Sequence, residues 1–503
     1  MGDWLIDDAG ISFAYARNLA SGVGLVAQPG AEPVEGFSNP LWTLTLAACF
    51  GLGLFHPLWT PKLLSLALVG LAFVLVARTA PRRGPAAWLA GAAPLWLALD
   101  TSFVVWTTSG LENPLLVFLL ASSVTLALRF GEANASAATP ALAGVVAGLL
   151  ALTRPDALVF SATLAFLLVV LGPRDPRVFA WHAGAFLLGA AGSAGPYLAF
   201  RRLYFGDWLP NTFYAKVRPP LISGDPSRLL EPLSDAAGRL APLVLLVVAF
   251  AVAVALRPRR PESRLTVVLV AHLAAAAFVY VALPPDWMGE HRFATAFFLF
   301  LYWLTGHGLA KLADVLPRRP GWRALVPIAA LLLLAEGTRV HADRSTDFAR
   351  SPTVPFARIA EFGRAYDALA ASLPAGRGSL LSPDMGGTLF EARHLRIHDL
   401  AGLCDRTVAR TLMDDTRAFH DYVFETLEPT FIHVHKSWAG WAAIHEDARF
   451  ERDYAALHED WGGGEDGEPS VGDYVRRDAV TGAHDLERLR ADFVRLGLDR
   501  PLP

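Results

Sequence analysis

Cysteine is nearly absent from this chain: Cys49 and Cys404 are the only two in 503 residues. That excludes a disulfide framework and any zinc site built on cysteine spacing, and both read as packing thiols. Lysine is almost as scarce. Lys62, Lys216, Lys311 and Lys436 stand against 40 arginines among the 44 basic residues, so each lysine is more informative than an arginine. Charge is low overall, at 18% of residues with a formal net charge of -3. Without a basic excess, electrostatic binding of nucleic acid has no support.

What is abundant is hydrophobicity, 53% of residues, with a mean hydropathy of +0.37. Such a composition exceeds that of an ordinary soluble domain and predicts a polytopic membrane protein. Apolar runs fall at about 40 to 56, 62 to 77, 86 to 99, 113 to 128, 141 to 153, 157 to 171, 178 to 199, 241 to 256, 265 to 283, 293 to 311 and 324 to 337, roughly eleven helices. Several are shorter than the ~20 residues of a perpendicular span, which predicts tilted, broken or re-entrant helices. Near residue 338 the composition turns to His, Asp, Arg, Glu and Gly. The expected organisation is a first loop over 1-39, a transmembrane module over 40-337 and a soluble α/β domain over 338-503.

Basic loops stay cytoplasmic. The runs Arg257 to Arg264 and Pro317 to Arg323 therefore place residues 200 to 240, 284 to 292 and the C-terminal domain on the opposite, outer side. Arg174 to Arg177 and Arg78 to Arg83 also count as inside. Two crossings between residues 40 and 77 would then put the acidic N-terminus inside, although its composition fits the outside. Either that region crosses once with a re-entrant portion, or the Arg82-Arg83 loop is an exception.

The candidate chemistry begins with the acidic pair Asp7-Asp8, because carboxylates beside a membrane are expensive to keep. Asp8 reads as the N-cap of a short interfacial helix to Ala20, with Ile11, Tyr15 and Leu19 on one face and Gly22 and Gly24 ending it. Capping and catalysis are equally good local readings of the pair. Loops assigned to the same membrane face add Glu112, Arg154 and Asp156, the run Asp207, Trp208, Asn211 and Lys216, and the run Asp286, Trp287, His291 and Arg292. Cations that pair with phosphate, aromatics that stack on sugar or prenyl chain, and carboxylates that accept protons suit an anionic lipid-linked substrate. Taken singly these residues have plainer explanations. The tryptophans suit an interfacial belt, Arg154 and Asp156 an ion pair, Glu112 a helix N-terminus, and Lys216 and Arg292 snorkelling to headgroups. Farther on, Ser382 to Gly387 and Arg396 to Asp405 read as loops after short strands. His433 and His435 alternate as on a strand, with no third metal ligand in view.

The acidic pair, Val34-Glu35-Gly36-Phe37-Ser38-Asn39-Pro40-Leu41-Trp42, Ser109-Gly110-Leu111-Glu112, Thr153-Arg154-Pro155-Asp156, Gly206 to Asn211, Asp286-Trp287-Met288, Asp384-Met385-Gly386 and Asp399 to Leu403 together resemble bacterial GT-C fold glycosyltransferases. The resemblance is strongest to the branch holding the mycobacterial terminal arabinofuranosyltransferases. It implies a mainly α, multi-pass inner-membrane enzyme with a periplasmic C-terminal domain. Such an enzyme moves a sugar from a polyprenyl-phosphate donor to an envelope glycan or glycolipid acceptor, with inversion. Asp7 or Asp8 would be the general base, and Lys216, Arg154 and Arg292, in that order, would face the departing phosphate. The pair is also a candidate holder of Mg2+ or Ca2+. Members of the family carry a transmembrane helix ahead of the acidic pair, whereas six residues precede it here, so an upstream helix is expected to be missing. The alternatives are a transporter or flippase of envelope precursors, disfavoured because the charges gather in loops at one face, and a non-catalytic glycan-binding scaffold.

Overall fold

The computed structural model describes residues 2–80, 85–131, 138–216, 224–255, 263–316, 320–460 and 471–500. The basic-loop residues 81–84, 256–262 and 317–319, which carry much of the orientation argument, lie outside them. Each of the eleven apolar runs holds at least one helix, the first ending at Gly51 rather than near 56. Among the described residues six helices are long and apolar enough to cross a membrane: Trp59–Arg78, Pro176–Tyr204, Pro226–Ala253, Arg264–Ala282, Arg292–Val315 and Ala324–Arg350. Four shorter apolar helices and one bent pair accompany them. The protein is a polytopic membrane helix bundle with a small sheet domain towards its C-terminus.

The bend has an identifiable cause. Trp88–Leu99 and Thr101–Thr108 meet at 65°, and Asp100 between them accepts the Phe103 N–H at 2.8 Å. An aspartate that caps the second helix ends the first. Thr295–Val315 is buried along most of its length. The surrounding helices instead expose Leu63, Leu66, Leu187, Leu188, Leu246 and Leu331, an outward apolar density that water penalises and lipid accepts.

By packing, the chain divides into two units that are discontinuous in sequence. The first comprises Leu58–Phe200 and Arg218–Thr353, and the second Gly2–Pro57, Arg201–Val217 and Val354–Pro503. The compositional change near residue 338 falls inside one continuous helix, Pro320–Arg350.

The second unit is built on a five-stranded sheet of order β2-β1-β3-β5-β4. Its strands are β1 (Gly378–Ser382), β2 (Leu395–Asp399), β3 (Phe431–His435), β4 (Tyr454–Asp460) and β5 (Val471–Arg476). Strand β1 runs parallel to both β2 and β3, whereas β5 is antiparallel to β3 and β4. The loops after β1, β2 and β3 therefore leave the sheet at one end, where ligand crevices of mixed α/β sheets form.

The helix Ala9–Ala20 forms close to where the sequence places it, but not as a one-faced interfacial helix. Nine of its twelve residues are buried. Ile11, Ala14 and Tyr15 share a core with Tyr366, Leu380 and Phe431, while Phe13 meets Phe55, Phe356 and Phe390 edge-on or nearly so. Small residues on its other faces permit this: a Cβ on Gly10 would lie 2.9 Å from Gly386 Cα. Asp8 precedes the helix without a side-chain capping bond.

Candidate active site

The segment carrying the acidic pair is anchored by backbone pairing. Phe356 N–H donates to Leu5 O at 2.8 Å and Asp7 N–H to Val354 O at 3.1 Å, a two-residue strand contact through Ile6 and Pro355. This gives the two adjacent aspartates different surroundings. Asp7 is buried, and its carboxylate accepts the N–H groups of Gly386 at 3.0 Å and Gly387 at 2.6 Å. Burial pushes its carboxyl well above the ordinary aspartate range; the charge of Asp384 adds to this, and the two glycine N–H groups oppose it. Asp8 has a side chain 24% exposed, with Lys216 Nζ 3.8 Å away on a side chain 47% exposed. Of the pair, Asp7 is held by the fold and Asp8 is partly exposed.

Glycine at 386 is a requirement of this arrangement. A Cβ there would stand 2.6 Å from the Asp7 carbonyl carbon and 2.7 Å from its Oδ1. We expect Gly386→Ala to displace Asp7 and to cost about 1–3 kcal/mol, read as a lowered unfolding temperature of the purified chain.

Around the pair, the residues expected to bind substrate are mostly committed to the protein. Asn211 donates its amide to the carbonyls of Gly402 at 2.8 Å, Leu403 at 3.0 Å and Asp405 at 3.2 Å, bracing the loop after β2. Asp207 pairs with Arg410 at 3.2 Å and Arg406 at 3.5 Å. Trp208 is exposed, with the Arg202 guanidinium 5.9 Å from its ring. Glu35 and Arg201, not picked out as site residues by sequence, form a buried two-point ion pair at 2.6 and 3.0 Å.

The last residue of β2 is a carboxyl shifted by burial. Asp399 accepts Cys404 N–H at 2.6 Å and Ala401 N–H at 2.8 Å. Burial pushes its carboxyl from the ordinary 3.8 up to about 7, with the N–H bonds opposing. A carboxyl raised in the folded state contributes stability that is fully present below its unfolded value and lost as pH rises through about 7. The unfolding temperature of Asp399→Asn, compared with the parent at pH 5 and pH 8, is expected to improve in relative terms at the higher pH.

The other candidates belong to the first unit. Arg154 bridges Glu112 at 2.7 Å and Asp156 at 3.0 Å, all three largely buried. The ion-pair reading of Arg154 is realised in its geometry, and the guanidinium is already neutralised. Arg292 pairs with Asp286 at 2.7 Å, and the guanidinium carbons of Arg292 and Arg154 lie 4.8 and 5.2 Å from the Phe293 ring. Asn113, Arg154, Asp156, Arg292 and Thr295 line a small crevice there. His291 bonds Asp235 at 2.7 Å and Tyr280 at 3.1 Å. With Glu290 it adopts positive φ, a conformation uncommon outside glycine. Trp287 is exposed.

Sequence reasoning passed over Asp100, His341 and Arg344, and gave no separate role to Glu290 within the run Asp286 to Arg292. Asp100 accepts the Tyr302 hydroxyl at 2.9 Å and lies 3.5 Å from His341, and Arg344 bridges Glu290 at 2.6 Å and Asp235 at 2.9 Å. The signal available for Asp100 was its place between an apolar run and Thr101-Ser102.

No family model and no curated protein matches the chain. Solved structures do. ArnT from Cupriavidus metallidurans in the apo state aligns over 94% of both chains at TM-score 0.59 and 14% identity. The same protein bound to undecaprenyl phosphate aligns over 94% of both chains at TM-score 0.56 and 13% identity. The archaeal oligosaccharyltransferase AglB from Archaeoglobus fulgidus, in complex with an inhibitory peptide and a dolichol-phosphate, covers 93% of this chain and 70% of its own at TM-score 0.53 and 12% identity. Over nearly its whole length, therefore, this chain has the fold of the GT-C membrane enzymes.

Proposed function

We propose that the protein is a membrane glycosyltransferase that takes a sugar from a polyprenyl-phosphate donor and transfers it, with inversion, to a cell-envelope glycan or glycolipid on the periplasmic face. The observation that carries this reading is the partly exposed Asp8 carboxylate with Lys216 beside it, in a chain whose fold is shared with structures bound to undecaprenyl phosphate and dolichol-phosphate. Asp8 is the general base: it accepts the proton of the acceptor hydroxyl as that oxygen attacks the anomeric carbon. The bond to the donor oxygen breaks, and its electron pair leaves with the polyprenyl phosphate. Lys216 stabilises that developing charge, as a preorganised cation does. Asp7 positions Asp8 through its grip on Gly386 and Gly387. Arg154 and Arg292 rank behind Lys216 because each is held in a short, largely buried ion pair, whereas Lys216 is half exposed and 3.8 Å from its carboxylate.

The test is transfer from a panel of radiolabelled polyprenyl-phosphate sugars by membranes carrying the chain with any upstream coding sequence. On the strength of the sequence resemblance, an arabinofuranosyl donor belongs in the panel. Incorporation above control membranes identifies the donor. No incorporation from any donor by folded protein moves the assignment to transport or glycan binding.

A further inference from the structure

The end of the sheet holds a cluster that the transfer chemistry does not use. Strands β1 and β3 are parallel neighbours, with Leu380 opposite Phe431 and Leu381 opposite Ile432. The chain beyond β1 therefore brings Asp384 beside the end of β3, where His435 bonds it at 2.8 Å. His433 and His435 are two residues apart on a strand and so share one face, their rings 5.3 Å apart. Asp384, His433 and His435 each offer a ligand atom, and these atoms lie within 4.8 Å of one another. Among the described residues this is the only such group of three.

The arrangement of hydrogen bonds around the histidines is what a metal site needs. His433 Nδ1 bonds Asp473 Oδ1 at 2.6 Å, and Asp473 lies opposite it on β5. The same carboxylate oxygen accepts the Tyr366 hydroxyl at 2.5 Å. A carboxylate on one ring nitrogen fixes the tautomer, orients the ring and leaves the other nitrogen as donor to a metal. That other nitrogen, His433 Nε2, is buried without a hydrogen-bond partner, in a residue 2% exposed. His435 Nδ1 is likewise unpartnered. A buried imidazole nitrogen left unpaired has a cost that a ligand would remove.

We propose that Asp384, His433 and His435 bind a divalent transition-metal ion of the zinc class through two imidazole nitrogens and one carboxylate oxygen, with Asp473 as the orienting carboxylate behind His433. Two nitrogens and one oxygen suit a borderline ion better than Mg2+ or Ca2+, and three protein ligands leave a position for water or an anion. The ion braces the turn Pro383 to Gly387, whose last two N–H groups hold Asp7. This inference is independent of the transfer reaction and survives its failure.

The test is metal binding by the full chain in detergent, stripped with chelator and titrated with Zn2+ and, for its visible spectrum, Co2+. One ion per chain with a tetrahedral Co2+ spectrum is expected. Asp384→Asn and His435→Gln should each weaken binding by at least about 100-fold, and Asp473→Asn by about 10–100-fold. His484→Gln, exposed and away from the cluster, should bind as the parent does. Folding of every variant is checked by its unfolding temperature without metal. Absence of stoichiometric binding by the folded parent overturns the proposal and leaves the cluster as an ion-pair network; so does binding that Asp384→Asn and His435→Gln leave unchanged.

Discussion

Asp8→Asn is expected to reduce sugar transfer by about 10^2 to 10^4-fold, the usual loss when a positioned general base is removed, while leaving the unfolding temperature close to that of the parent. The second half of that expectation follows from its surroundings: Asp8 makes no capping bond, and its ion pair with Lys216 is long and partly exposed, a class of contact worth little to stability. Asp7→Asn should behave in the opposite way. The amide that replaces one carboxylate oxygen turns a donor towards N–H groups that Gly386 and Gly387 direct at it. An unsatisfied buried donor costs about 1–3 kcal/mol. Its loss of activity should therefore come with a lowered unfolding temperature. Transfer that survives in a folded Asp8→Asn chain and vanishes in a folded, equally stable Asp7→Asn chain would reverse the assignment.

The largest stability effect is expected at Glu35 and Arg201. Their side chains are 1% and 9% exposed and meet at 2.6 Å, and Asn211 N–H donates to the Glu35 carbonyl at 3.0 Å. Glu35→Ala or Arg201→Met removes the ionic partner of a buried charge, which costs about 3–5 kcal/mol. Replacing both by leucine should recover most of that loss, because the desolvation penalty disappears together with the attraction. Unfolding of the three variants in one detergent measures this. Equal losses in the single and double variants would mean that the bidentate geometry itself stabilises the unit.

How much of this was legible depends on the range of the interaction. The apolar runs are local patterns, and each of them holds at least one helix, although the first, 40 to 56, is helical only to Gly51. The alternation around His433 and His435 is a strand; of the two expected loops, Ser382 instead closes β1 and Gly386-Gly387 open a helix, and Arg396 to Asp399 belong to β2, so only Pro383 to Met385 and the residues after Asp399 follow a strand as expected. The fates of Asp7 and Asp8 were not legible, because what separates them is a pair of glycines 379 and 380 positions along the chain. The ion pair of Glu35 spans 166 positions. The third ligand beside the two histidines was invisible for the same reason: Asp384 comes 51 positions before His435 and reaches it only through parallel strand pairing.

The sequence by itself determined that this protein is a polytopic helix bundle with a small α/β domain, because hydrophobic length and periodicity act within one turn or one strand at a time. It also singled out the acidic pair, since two carboxylates in front of an apolar run are conspicuous without any partner. Only the tertiary structure decided which of them is held and which is open, which arginines are already neutralised, and that a carboxylate stands beside the histidines. Those properties are set by burial and by hydrogen bonds between residues far apart in the chain, and both exist only once the chain has folded.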